Sequence, residues 1–284
     1  MKSFKKIAAL LCAFVIAFSA VSFAFAQSAE TEEPLNLLLL GDSITQGFGI
    51  VNRDEASYGR IVADTNGYGY KNYAKVAYNT TDMLEMIKSG KIDDDIRNAD
   101  IINISIGSNN YLANDDVVMI VIGALLGYNN RQLDEIAQWI YEDYNKIYDE
   151  IRRLNPDATL IFNNIYCAWK GIGYIPFHKA TDRINAALEK FKADHPDDII
   201  ILDIASVITG HGEYVAADSV HPNAAGNVAI AKQLLKLLKD LGLGEKTEPA
   251  VNAEGIDYNF YQEEFGKFAG TLIWMIVSTL TLHF

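Results

Sequence analysis

Two cysteines in 284 residues leave little scope for covalent cross-links. Cys12 falls inside an apolar N-terminal stretch and Cys167 stands by itself in the remainder, so removal of that stretch leaves no pair for an internal disulfide. Basic charge is also scarce: 24 Lys and Arg face 37 Asp and Glu, a formal net charge of −13. Phosphate backbones and anionic membrane surfaces need basic patches, so the balance argues against nucleic acid or an anionic bilayer as a partner. Metal-ligand spacing is missing as well. His178, His195, His211 and His283 show none among them and read as loop or surface residues. The acidic runs Asp93–Asp95 and Asp115–Asp116 read as solvated faces or helix caps. No internal repeat is visible.

What is present is apolar bulk, half of all residues, enough for the core of one large domain. The first 26 residues read as a secretory signal. Lys2, Lys5 and Lys6 form the positive start, an apolar run follows, and Ala24–Gln27 offers a small-x-small cleavage site after Ala26. Leu11 precedes Cys12 where a lipidation site wants a small residue. Removing the three lysines takes the 24 basic residues to 21 against 37 acidic ones, a net charge of −16. The chain then divides into a polar leader (27–34), a domain (35–242), a polar linker (243–267) and an uncharged apolar segment (268–284). The last segment spans a bilayer, lies in its interface or packs on the domain, depending on its partner surface. Export predicts a secreted protein or one at the outer face of the envelope, with membrane contact through 268–284.

Within the domain, strand-like runs alternate with helical ones. The strands are predicted at 35–40, 70–76, 99–106, 158–165 and 198–204. Helical periodicity is clearest in Leu133, Ile136, Ile140, Tyr144, Ile147 and Ile151, a stripe that Pro156 ends. Thr80 or Thr81 is the expected N-cap of an earlier helix that Gly90 stops. This alternation predicts an α/β fold with parallel strands, whose ligands sit at the carboxyl ends of the strands.

Those ends carry polar residues. Gly41-Asp42-Ser43 follows the first strand, Ala77 the second, Gly107, Asn109 and Asn110 the third, and Asp218 with His221 lies beyond the fifth. Acyl transfer needs a nucleophile, a base, a group that orients the base, and donors for an oxyanion. Ser43 supplies a nucleophile and His221 a base, and Asp218 stands three residues before it. Backbone N–H groups of Ser43 and Ala77 and the Asn109 amide supply donors. This chemistry needs no metal or organic cofactor.

The blocks "GDSI", "GSNN" and "DSVHP", in that order and after predicted strands, resemble the SGNH (GDSL) hydrolase family over residues 35–240. The resemblance implies a three-layer α/β/α sandwich, flavodoxin-like, around a mostly parallel five-stranded sheet. It also implies lipase or esterase activity, with Ser43, Asp218 and His221 as catalytic residues. The implied oxyanion hole comprises Ser43, Ala77 and Asn109. Ala77 replaces the family's Gly, and Asn110 stands where the Gly-x-Asn-Asp pattern has Asp.

Asp42, Asn110, Asn163, Tyr166 and Trp169 are expected to touch substrate from the same edge. Val117–Tyr128 is an apolar insertion after Asn109, either a buried core helix or a lid or acyl-chain wall. With Tyr166, Trp169, Tyr174 and Phe177 it favours a fatty acyl or other apolar ester, as a small-molecule or lipid substrate. A carbohydrate O-deacetylase built on the same residues and a non-catalytic surface binding module are the alternatives.

Overall fold

The computed structural model describes residues 33–50, 53–114, 116–127, 130–168, 174–216, 218 and 220–251. The expected signal 1–26, most of the leader, Trp169 and the apolar segment 268–284 lie outside the described residues.

Five strands form one sheet in the order β2-β1-β3-β4-β5: β1 (Asn36–Gly41), β2 (Gly69–Asn72), β3 (Ile101–Ser105), β4 (Thr159–Asn163) and β5 (Ile199–Leu202). Every adjacent pair is parallel. All five carboxyl ends therefore lie along one edge. The central strands β1, β3 and β4 are largely apolar on both faces because both are covered, as parallel sheets require, whereas the edge strand β2, Gly-Tyr-Lys-Asn, is half-exposed. Leu38 and Leu40 of β1 point to one side with Ile102, Ile104, Leu160 and Phe162, while Leu37 and Leu39 point to the other with Ile101 and Ile161.

The first face is covered by α4 (Thr80–Lys88), α8 (Asn130–Leu154) and α9 (Tyr174–Asp194). The opposite face is covered by α3 (Tyr58–Asn66) and α11 (Ala224–Asp240). This is the three-layer α/β/α sandwich. The predicted stripe on α8 is buried at Leu133, Ile136, Ile140, Tyr144, Ile147 and Ile151. Each such Leu or Ile contributes roughly 1.5–3 kcal/mol on leaving water.

Short helices complete the chain: α1 (Ser43–Gln46), α2 (Arg53–Ala56), α5 (Asp93–Arg97), α6 (Ser108–Leu112), α7 (Val117–Leu126) and α10 (Ala205–Ile208). Among the described residues no helix is long and apolar enough to cross a membrane.

Besides shifts of one or two residues at the ends of the strands, three boundaries differ from expectation. β2 ends at Asn72, not Val76: Asn72 pairs with Leu39, two residues before β1 ends, and its Oδ1 accepts the Ala74 N–H at 2.9 Å, turning the chain out of the strand. Asn79, not Thr80 or Thr81, caps α4, with Asp82 bonding back to the Asn79 N–H. The start of the expected linker is packed: Lys246 N–H donates to Asn66 Oδ1 at 3.1 Å and Ala250 N–H to Thr65 Oγ1 at 2.9 Å.

Candidate active site

The sheet's carboxyl edge is built around a single helical turn. After β1 the Asp42 side chain caps α1, its Oδ1 accepting the Ile44 N–H at 2.9 Å, and Gly47 closes the turn at φ +78°. Gly41 is required by close approach, since a Cβ there would lie 2.4 Å from Thr45 Oγ1 and 2.6 Å from Ser105 O. Ser43 thus sits at the first position of α1, only 8% exposed.

His221 Nε2 lies 2.8 Å from Ser43 Oγ, across 178 residues of chain. His221 Nδ1 is bonded to Asp218 Oδ2, and Asp218 Oδ1 accepts the N–H groups of Val220 and His221 at 2.9 Å each. An ionised carboxylate can only accept, so Nδ1 carries the ring proton and Nε2 is left to accept from Ser43. Burial pushes the Asp218 carboxyl up, but the bonds from His221 and the two N–H groups outweigh it and hold the group below the ordinary carboxylate range. The loop is braced from outside: Ala216 N–H donates to His221 O at 2.8 Å, and Tyr166 Oη to Val220 O at 2.7 Å.

The β2–α4 turn comes to the same edge. Ala77, exposed, sits there at φ +66°, and it is the one non-glycine residue with positive φ among those described. Two side chains grip its neighbours. Gln46 Oε1 of α1 accepts the Val76 N–H at 3.2 Å, and Asn109 Nδ2 of α6 donates to Tyr78 O at 2.8 Å. Neither the Ser43 nor the Ala77 N–H has an acceptor among the described residues. Asn109 itself follows Gly107, whose φ of +128° suits glycine alone. Ser43, Ala77 and Asn109 are therefore brought to one edge by β1, β2 and β3.

Four residues expected to touch substrate instead serve the scaffold. Asp42 is buried as the α1 cap, and its Oδ2 has no hydrogen-bond partner among the described residues. Burial, the largest influence, lifts its carboxyl to about 6, against the Ile44 N–H and His221, which pull it down. Asn110 is buried against Thr80. Asn163 belongs to a buried knot beneath α1, accepting from Asn103 Nδ2 at 2.7 Å, while Tyr58 Oη donates to Asn103 Oδ1 at 2.8 Å and meets Thr45 Oγ1 at 3.2 Å. Tyr166 is buried beneath the His221 loop, with its hydroxyl pushed well above its ordinary range by burial. These positions lie at strand ends, as expected, but close packing there leaves them no open face.

Sequence reasoning missed two contacts. Phe48, half-buried, lays its ring 4.8 Å from the His221 ring, centroid to centroid, at 53°. Gln46 grips the Ala77 turn. Their signal was their position in "SITQGFG", on the turn that immediately follows Ser43.

Residues 39–229 match the family described as GDSL-like lipase/acylhydrolase. The uncharacterized protein YpmR of Bacillus subtilis (strain 168) is 27% identical over 236 residues, covering 77% of this chain and 87% of that one. Among solved structures, the lipase Lip_vut3 from a goat rumen metagenome superposes with a TM-score of 0.59 at 22% identity, covering 74% of this chain and 99% of that one. Phospholipase A1 from Streptomyces albidoflavus NA297 gives 0.55 at 19% identity, covering 73% and 99%. At such identities the two structures bear on the fold.

Proposed function

The chain belongs to the GDSL-like lipase/acylhydrolase family, and from that premise we propose that it is a serine esterase working through an acyl-enzyme on Ser43. The observation that carries the reading is the unbroken Ser43–His221–Asp218 line of hydrogen bonds at the sheet edge. His221 Nε2 takes the Ser43 hydroxyl proton as Oγ bonds to the ester carbonyl carbon. The carbonyl electrons move to oxygen, and the oxyanion faces the N–H groups of Ser43 and Ala77 and the second hydrogen of the Asn109 amide. Each such donor is worth roughly 10²–10³ in rate. Asp218 stabilises the imidazolium through Nδ1. The intermediate collapses as His221 gives its proton to the leaving alcohol. Water then repeats the sequence on the acyl-enzyme, releasing the carboxylic acid and restoring Ser43.

An apolar acyl group is the substrate class this reading favours. α7 begins five residues after α6 and packs on the first turns of α9, where Lys179 Nζ donates to Ala124 O at 2.8 Å. Ile120 and Ala124 are buried on its inner face, while Met119 (58% exposed), Ile122, Leu125 and Leu126 (65% exposed) lie outward. Tyr174 and Ile175, opening α9 at the active edge, add to that surface. Exposed apolar clusters of this kind mark binding surfaces. The signal-like pattern of residues 1–26 supports a site of action outside the cell.

The test is a chain-length profile on p-nitrophenyl esters, with a fluorophosphonate probe for Ser43. Labelled Ser43 and kcat/KM rising from acetyl towards medium or long chains support the reading. Strong activity on acetyl-xylan with none on longer esters moves the substrate to acetylated carbohydrate. An unlabelled serine with no ester turned over contradicts the enzyme assignment.

A further inference from the structure

α8 carries a carboxylate that the mechanism above leaves unused. Asp143 is 2% exposed and faces α4. Its Oδ2 accepts from the hydroxyls of Thr80 and Thr81 at 2.8 Å each, and its Oδ1 from Lys146 Nζ at 3.0 Å. Thr80 is held a second time by Asn110. Asn110 Oδ1 accepts the Thr80 N–H at 3.2 Å, and Asn110 Nδ2 donates to Thr80 Oγ1 at 2.8 Å. The backbone N–H can only donate, which fixes the Asn110 atom facing it as the oxygen. With the amide donating to Thr80 Oγ1, the single hydroxyl proton of Thr80 must go elsewhere. It goes to Asp143, so the chain Asn110 to Thr80 to Asp143 has one direction.

Position matters because of what the clasp joins. Thr80 lies three residues after Ala77, and Asn110 immediately follows Asn109. The two segments that carry the Ala77 N–H and the Asn109 amide are thus fastened to each other at Thr80. In a Gly-x-Asn-Asp block the carboxylate would stand at position 110 and accept from Thr80 directly. Here Asn110 cannot accept that proton while its amide donates to the same oxygen, and the acceptor arrives from α8 instead.

We infer that Asp143 is a positioning residue of the oxyanion hole, supplying from α8 the carboxylate that closes the Thr80–Asn110 clasp and sets the Ala77 turn against Asn109. The inference rests on the esterase reading. Its test is a double-mutant cycle in the full chain, with kcat and KM measured separately on a p-nitrophenyl ester. Asp143→Asn lowers kcat about tenfold with KM unchanged, since a small misplacement of donors costs transition-state stabilisation rather than ground-state binding. Asn110→Asp also lowers kcat, because two buried carboxylates then compete for one hydroxyl proton. The double variant Asn110→Asp with Asp143→Asn regains most of the lost kcat by exchanging donor and acceptor around Thr80. Two independent packing defects would compound, not cancel. Thr80→Ser against Thr80→Val supplies the same contrast if a variant at 143 does not fold: retention of the hydroxyl retains the higher kcat. Undiminished kcat in Asp143→Asn, or a double variant no better than the poorer single, overturns the inference alone. A parent inactive on every ester overturns the esterase reading, and this inference with it.

Discussion

Ser43 Oγ and His221 Nε2 meet at 2.8 Å because two local devices, the Asp42 cap and the Asp218 loop, hold their backbones before the side chains meet. Asp42 carries a cost in doing so. Its native carboxyl titrates near 6 and its unfolded one near 3.8. Between those values the native state holds a proton that the unfolded state has released, so stability falls as pH rises, and the loss is complete above about pH 6. Two units correspond to about 3 kcal/mol at most. Asp42→Asn keeps the acceptor for Ile44 and removes the titration. Its stability relative to the parent should rise by up to about 3 kcal/mol between pH 4 and pH 7 in urea unfolding, and a difference that does not move with pH contradicts this. Ala77 poses the opposite problem, a side chain at φ +66° where the left-handed conformation costs roughly 1–2 kcal/mol. Ala77→Gly relieves that strain while adding unfolded-state entropy of about 0.5–1 kcal/mol. Ester hydrolysis within a few-fold of the parent and a melting temperature equal or slightly higher are expected. Loss of activity would show that the turn needs the methyl group. At this scale Ser43, Asp218 and His221 were legible because each sits in a short motif with its cap or partner nearby in sequence. Phe48, Gln46 and Asp143 were not, since their partners lie 173, 30 and about 63 positions away and only packing joins them.

The elements were easier to read than their ends. Periodicity found α8 and the buried strands, because a stripe repeats over many residues and errors average out. The end of β2 was set by the turn at Asn72, whose Oδ1 accepts the Ala74 N–H, a contact that the strand-like pattern of Tyr73–Val76 hid. α7 shows why an apolar run alone could not decide between core and surface. It is both: the inner face packs on α9 and the outer face is open. That division makes a prediction. Leu126→Gln removes mostly exposed apolar atoms, so global stability should shift by no more than about 0.5 kcal/mol. The kcat/KM ratio of long-chain to acetyl esters should fall several-fold in the same protein. An unchanged ratio would mean that the outer face of α7 takes no part in acyl recognition.

For the whole molecule, five parallel strands with shared carboxyl ends turn a sequence order into a site. Ser43, the turn at Ala77, the Asn109 helix and the His221 loop follow β1, β2, β3 and β5, and the sheet collects them on one edge. That much was legible because alternation of strand and helix implies parallel order, and parallel order implies a common edge. What the edge admits was less so, as four of the expected contact residues turned out to be buried supports. The net charge of −13 fits a neutral or apolar ester better than an anionic polymer. The most direct measurement is hydrolysis of p-nitrophenyl esters by Ser43→Ala beside the parent, with folding of both checked by circular dichroism. A folded variant whose kcat falls by at least about 10³ is the predicted result. A folded variant that hydrolyses the esters as fast as the parent would contradict the assignment of Ser43 as the nucleophile.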